Sequence, residues 1–269
     1  MGMNLFLFEV RNQIKNALGW LSALLLVLVM FVGGIYPEYR DSMKEIRDLV
    51  SGFPKAFRQM FGMENLEEMF QFPGFNSFTF LYVGVLGGMM AVSIALSIFA
   101  REKRGKCRDY LLTKPASRSE IFLEKAFSGL FLLVLANLIY GAVWYLLYLR
   151  EDEGVMSTTK LWLTMLALFL TQIVFWSIGT FWAVFARRIR SVSGTSVAMG
   201  IITFAIWALT NVLEKEELRF VSPLQYFSPE TVLRESGYDG KLVIMAVFVT
   251  VFCLISAYVK FCREDIPAI

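Results

Sequence analysis

The chain has 269 residues, of which 57% are hydrophobic and only 18% charged, with 25 Phe, 13 Met, no His and a formal net charge of +3. A soluble domain carries about 25% charged residues and has no way to hide six long uncharged runs, so the composition excludes a soluble globular protein and reads as one all-α integral membrane domain. The missing His removes the usual near-neutral proton carrier and the commonest metal ligand, and nothing in the charge points to nucleic acid.

Residues 4–17 come first. Phe6, Val10 and Ile14 share a stripe at helical spacing. Two readings follow: an interfacial amphipathic helix along the inner leaflet, or a helical extension of the first span. The first span, at about 18–36, is too long for a signal peptide and has no small-residue cleavage site before Tyr36, so it reads as an uncleaved anchor.

Residues 37–76 are too many for a plain loop. Met43, Ile46, Leu49 and Val50 share one helical face, and Pro54 can open a second short helix carrying Phe57, Met60 and Phe61. Asn65 with Glu68 has the form of a capping box for a third, carrying Met69 and Phe70. These apolar side chains are expected to pack on the ends of the spans or on lipid headgroups; the other reading is an adaptable surface for an apolar substrate.

The second span, about 77–100, contains Gly84 and Gly88 in a GxxxG pattern that Ala91 extends. Such a small face lets helices approach closely, within the chain or between copies.

Residues 101–125 form the densest cationic segment. They include Glu102, Gly105, the pair Leu111-Leu112, Pro115 and Ser117-Arg118, and Ser117 with Glu120 fits a capping box for a helix running into the third span. A Leu pair in a basic loop suggests a docking surface. The remaining spans lie at about 126–149, 161–186, 192–213 and 242–259.

With both termini in the cytoplasm, 15 of the 26 Lys and Arg fall on inner segments, and the short Arg187-Arg188-Ile189-Arg190 loop is the clearest inward marker. The segment 37–76 is then extracellular. Cys107, Cys253 and Cys262 lie in no outer segment and have no metal-ligand spacing, so neither a disulfide nor a metal site is expected.

None of the six uncharged runs contains Asp, Glu, Lys or Arg, which disfavours proton- or ion-coupled carriage. Asn137, Gln172 and Asn211 are expected to make interhelical hydrogen bonds. No GxxxxGK[ST] phosphate loop is present. Glu216-Glu217 lacks the His partners of a membrane protease, and Ser193 and Ser196 lack a base. No catalytic residue, and no cofactor of this chain's own, is expected.

The second inner loop, with Glu102, Gly105, Leu111-Leu112, Pro115, Ser117-Arg118, Ile121 and Lys125, resembles that of the ABC-2 type permeases, the membrane subunits of ABC exporters. The run Ser222-Pro223-Leu224-Gln225-Tyr226-Phe227-Ser228-Pro229 is similar to the Ser-Pro-x-x-Tyr-Phe-x-Pro segment of the same family. The resemblance implies six spans with both termini cytoplasmic and residues 4–17 as an elbow helix. It implies that residues 101–125 couple to a cytoplasmic ABC ATPase that binds ATP and Mg, and that two permeases pair as a dimer, either two copies or one copy with a related permease. The expected function is export of a hydrophobic or amphipathic substrate, a small peptide or lipid-like molecule, across the cell membrane of a prokaryote. The alternative is a nontransporting membrane scaffold or sensor that recruits a cytoplasmic partner.

Overall fold

A computed structural model describes residues 2–63, 69–101, 117–151, 154 and 156–263, with the side chains of 2–4, 43, 44 and 216 excepted. Among these residues the secondary structure is entirely helical. In chain order the α-helices are α1 (Gly2–Leu28), α2 (Tyr36–Asp41), α3 (Met43–Ser51), α4 (Lys55–Met60), α5 (Phe72–Phe99), α6 (Arg118–Glu151), α7 (Thr158–Phe185), α8 (Val192–Leu213), α9 (Glu216–Arg219), α10 (Pro229–Glu235) and α11 (Gly240–Arg263). A π-helical stretch, Val29–Ile35, joins α1 to α2, and a 3₁₀ turn, Pro223–Gln225, precedes α10.

Six of these helical segments are long and apolar enough to cross a membrane: Leu5–Asp41, Phe72–Phe99, Arg118–Glu151, Thr158–Phe185, Val192–Leu213 and Gly240–Arg263. At about 1.5 Å per residue, even the shortest reaches about 33 Å, enough for a hydrocarbon core of about 30 Å. Six crossings bring both termini to one end of the bundle, called here the proximal end; the other is the distal end.

The second crossing, α5, is the axis. Its most apolar window is 83% buried, against 22% for the first, fifth and sixth crossings, and α1, α7 and α8 pack around it. Small residues permit this. A Cβ on Gly87 would meet Leu168 Cδ1 at 2.6 Å, one on Gly88 would meet the Phe175 ring at 3.0 Å, and one on Gly179 of α7 would meet the Val92 backbone at 3.0 Å. Ala91 is fully buried, whereas Gly84 is only in ordinary contact range of Leu224, at 3.4 Å. Gly87, Gly88 and Gly179 therefore make a close α5–α7 approach within the chain, and on α8 a Cβ on Gly200 would meet Met89 of α5 more closely still.

Residues 4–17 are not a separate helix. They belong to α1, which continues without interruption into the first span. One buried stripe crosses the expected boundary: Glu9, Gln13, Ala17, Leu21, Leu24, Leu28 and Val32. That three-to-four residue spacing keeps a single face turned inward against α5 and α6.

The third crossing also starts earlier than its uncharged run. α6 begins at Arg118, so residues 118–125 are its first two turns rather than loop. The segment after the first crossing is helical in α3 and α4, and Pro54 is the N-cap of α4. The Asn65/Glu68 capping pair lies outside the described residues.

Inside the bundle, Asn137 Nδ2 donates to Gln172 Oε1 at 2.5 Å and joins α6 to α7. Trp144 Nε1 donates to Asn76 Oδ1 at 2.8 Å and joins α6 to α5.

Candidate functional site

The basic segment leaves α5 at Arg101 and re-enters described structure at Ser117. Glu102, Gly105, Leu111, Leu112 and Pro115 lie outside the described residues, as does Cys107. Ser117, Arg118 and the two ends of the segment are defined, and they are heavily tied down.

The re-entry is a complete capping box. Ser117 N–H donates to Glu120 Oε2 at 2.9 Å, and Glu120 N–H donates to Ser117 Oγ at 3.2 Å. Each side chain satisfies a backbone donor that the first helical turn otherwise leaves unpaired.

Two turns further on is Lys125. Its side chain is 0% exposed. Its Nζ donates to Glu9 Oε1 at 2.9 Å and to the Ile98 carbonyl at 2.9 Å. Glu9 is itself 1% exposed and also faces Arg101 Nη1 at 3.1 Å, an ion pair without a well-directed hydrogen bond. Ile98 sits in the last turn of α5, where carbonyls lack helical partners and where a cation complements the helix dipole. One ammonium thus joins α1, α5 and α6. A buried charge is tolerated only when it is paired, and here the pairing fixes the registry of three helices.

A second set of contacts brings in α11. Arg118 Nη1 donates to the Cys262 carbonyl at 3.1 Å, capping that helix's C-terminal end, and the Ser119 and Tyr258 hydroxyls lie 3.0 Å apart. The Phe122 ring packs on Phe99, Tyr258 and Phe261 with centroids 5.1, 5.4 and 5.5 Å away. Asn16 Nδ2 adds a link from α1 to Ser93 Oγ on α5 at 3.2 Å. Both ends of the basic segment are therefore rooted in a collar of four helices: α1, α5, α6 and α11.

A model of the ABC-2 family transporter proteins matches residues 3–266, nearly the entire chain. The chain belongs to the ABC-2 transporter family. No curated protein matches it in sequence. This protein is accordingly the multi-pass membrane component of an ABC transporter, the permease, which works with an ABC ATPase rather than being one.

The permease's collar contains one residue that sequence reasoning passed over and one that it placed in the loop without a partner. Glu9 sat unremarked in the N-terminal segment, although its place on the stripe Glu9, Gln13, Ala17 was a signal that it faces inward. Lys125 was read as a loop cation. It lies one residue before the third uncharged run, buried in α6 and paired, at the helix's proximal end. Ser117 and Arg118, both anticipated, stand at the collar's rim. Gly88 and Ala91 are buried between α5 and its neighbours and play no part in it. Among the described residues no group of three or more Cys, Asp or Glu could hold a metal ion.

At the distal end the arrangement is looser. Asn211 of α8 accepts from Gln225 Nε2 at 2.8 Å. α4 lies against α8, with Lys55 Nζ 2.6 Å from Glu214 Oε1 and Gln59 donating to the same oxygen. The Lys55 hydrogen bond, seconded by Gln59, holds the Glu214 carboxyl below the usual carboxylate range. Phe61 meets Phe204 at 6.5 Å, while Phe57 and Met60 stay about two-fifths exposed, so only part of the apolar face of α4 is covered by the spans. Gly62 turns with φ +73°, and a Cβ there would press on Trp207 at 3.2 Å, so this position needs glycine on both counts. Tyr226 donates to the Phe220 carbonyl at 2.6 Å, and burial pushes its hydroxyl up to about 12, so it stays a neutral donor.

Proposed function

We propose that this permease is the membrane half of an exporter, driven by a cytoplasmic ABC ATPase that engages residues 102–116. Both termini then face the cytoplasm, the collar is cytoplasmic, and the distal end with α3 and α4 faces outward. The ATPase holds ATP and Mg; the permease supplies the path. Glu102, Gly105, Leu111, Leu112 and Pro115 form the contact surface, with Ser117 and Arg118 at its base. Two permeases, identical or related, complete the path in the cell membrane.

The observation that carries this reading is the collar. A force applied to residues 102–116 reaches α5 through Arg101 and α6 through Ser117. The buried Lys125–Glu9–Ile98 contacts and the Arg118–Cys262 contact pass it to α1 and α11. A loop tethered at one flexible point would lose such a push; one rooted in four helices moves them together. Export of a hydrophobic or amphipathic molecule fits the crossings, which offer no ionisable group within their uncharged runs for ion coupling.

The test is co-purification with the partner ATPase, followed by reconstitution of the pair in vesicles. Leu111→Ala with Leu112→Ala is expected to weaken ATPase association and abolish ATP-driven movement of substrate. Unchanged association and transport would contradict the coupling role. An ATPase that binds and turns over while nothing moves would instead favour the scaffold reading.

A further inference from the structure

The distal end has a partly open cavity of about 310 Å³ between the distal halves of α5 and α8 and the segment from α9 to α10. That is the low end for small-molecule sites, which span about 300–1,000 Å³, and it fits a head group with a short length of tail. Two chemically distinct walls line it. One is apolar and aromatic, with Met69, Phe78, Leu81 and Trp207; the other is polar and charged, with Asn211, Gln225, Arg219 and Arg234 beside the carboxylates of Glu230 and Glu235.

The polar wall is incompletely satisfied. Arg234, also in the lining, is held by Glu230 at 3.0 Å. Arg219 is half-buried, and no side-chain hydrogen bond or ion pair engages its guanidinium among the described residues. Gln225 is 7% exposed; its Nε2 is spent on Asn211, and its Oε1 has no partner. A buried polar atom without a partner costs free energy unless something else satisfies it, and a partly desolvated cation favours an anion beside it.

The wall is also held in place from behind. Lys160 Nζ donates to the Leu233 carbonyl and Tyr238 donates to the Leu163 carbonyl, pinning the distal segment to α7. Trp207 lies in the last two turns of α8, on the cavity's apolar wall.

We infer that this cavity binds an amphiphile with an anionic head group, the anion on Arg219, a head-group donor on Gln225 Oε1, and the start of the apolar tail against Phe78 and Trp207. A free anion would gain only the polar wall, and an uncharged hydrocarbon only the apolar one; the juxtaposition selects a molecule with both. The site belongs to the permease itself, and its occupancy does not depend on the coupling reading. On that reading it is a station at which an amphipathic substrate is held before release.

The experiment uses the full-length permease, without its ATPase, in an uncharged maltoside detergent. Dodecyl phosphate, dodecanol and inorganic phosphate are each titrated against it below the micelle-forming concentration of the added amphiphile, and bound probe is measured by equilibrium dialysis. Dodecyl phosphate is expected to bind saturably, with inorganic phosphate and dodecanol each at least about tenfold weaker, the scale of one charge-assisted contact. Arg219→Gln is expected to weaken dodecyl phosphate binding about tenfold, and Arg219→Lys by less.

Equal binding of inorganic phosphate would make this a free-anion site and overturn the proposal. Equal binding of dodecanol would make it a plain apolar groove and overturn it too, as would unaltered binding by Arg219→Gln. Should Arg219→Gln fail to purify, the three wild-type titrations decide the matter alone. Because no ATPase is present, a failure here is distinct from a failure of coupling, which the Leu111 and Leu112 variants read separately.

Discussion

The two ends of this bundle handle charge in opposite ways. At the proximal end the key charges are buried and paired: Lys125 and Glu9 are out of solvent and lock three helices together. At the distal end most ion pairs lie in water, the exception being Glu151, which is 5% exposed and paired with Arg150 at 3.0 Å. Lys55–Glu214 and Arg234–Glu230 are each more than half exposed on both side chains, and the second pair lines a cavity. Buried pairs are costly to break because each break strands a charge, whereas exposed pairs contribute little. One end is thus built to move as a unit, and the other to rearrange at small cost.

The sharpest way to break this contrast is at Lys125. Lys125→Met strands the Glu9 carboxylate with only a poorly directed Arg101 contact, and is expected to destabilise the permease by about 3–5 kcal/mol. The loss is read from thermal unfolding in detergent. Adding Glu9→Gln removes the stranded charge and should restore most of it. A double variant no better than Lys125→Met would show that the pair is not the source of the loss.

A smaller effect is expected at the α5–α7 contact, which serves both ends alike. Gly179→Ala drives a methyl against the Val92 backbone, which yields less readily than a side chain, at about 1–3 kcal/mol. Gly87→Ala meets only the flexible end of Leu168 and the Gln172 side chain and should cost less. Thermal shifts of the two variants measure the order.

Next is Ser117→Ala, which removes half of the capping box at about 1 kcal/mol. Faster amide exchange confined to the first turn of α6 is the expected sign.

The smallest effect is at Glu214. Its carboxyl is held low by Lys55 and Gln59. A depressed carboxyl contributes to holding α4 above its ordinary value near 4.5, and that contribution disappears as pH falls through the lowered one. Protection of residues 55–60, referred to the intrinsic exchange rate at each pH, should therefore fall on acidification in wild type, and already be lower at neutral pH in Glu214→Gln. Collar amides should not respond over the same range.

Much of this was legible in the sequence. Six crossings follow from six uncharged runs, because lipid enforces helix where water is absent. Ser117 with Glu120 and Pro54 were readable because helix starts are encoded within a few residues. The Asn137–Gln172 bond was half readable: both residues were marked as interhelical, though not as partners. The Glu9–Lys125 pair was not readable, since its members lie 116 residues apart and each looks like an ordinary flanking charge. The continuity of α1 was one of two readings the sequence allowed, because the end of an uncharged run is not the end of a helix. Arg219 and Gln225 are brought to one cavity only by the packing of α8 and the distal segment.

The central claim is that the collar carries the ATPase's motion into the bundle. Hydrogen exchange in residues 219–235 at the distal end, with the ATPase bound and with or without ATP, tests it most directly. The comparison is between wild type and the Glu9→Gln/Lys125→Met double variant. The expected result is an ATP-dependent change in wild type that is lost in the double variant, even though it still binds an ATPase that hydrolyses ATP. The same ATP-dependent change in both proteins would contradict the claim.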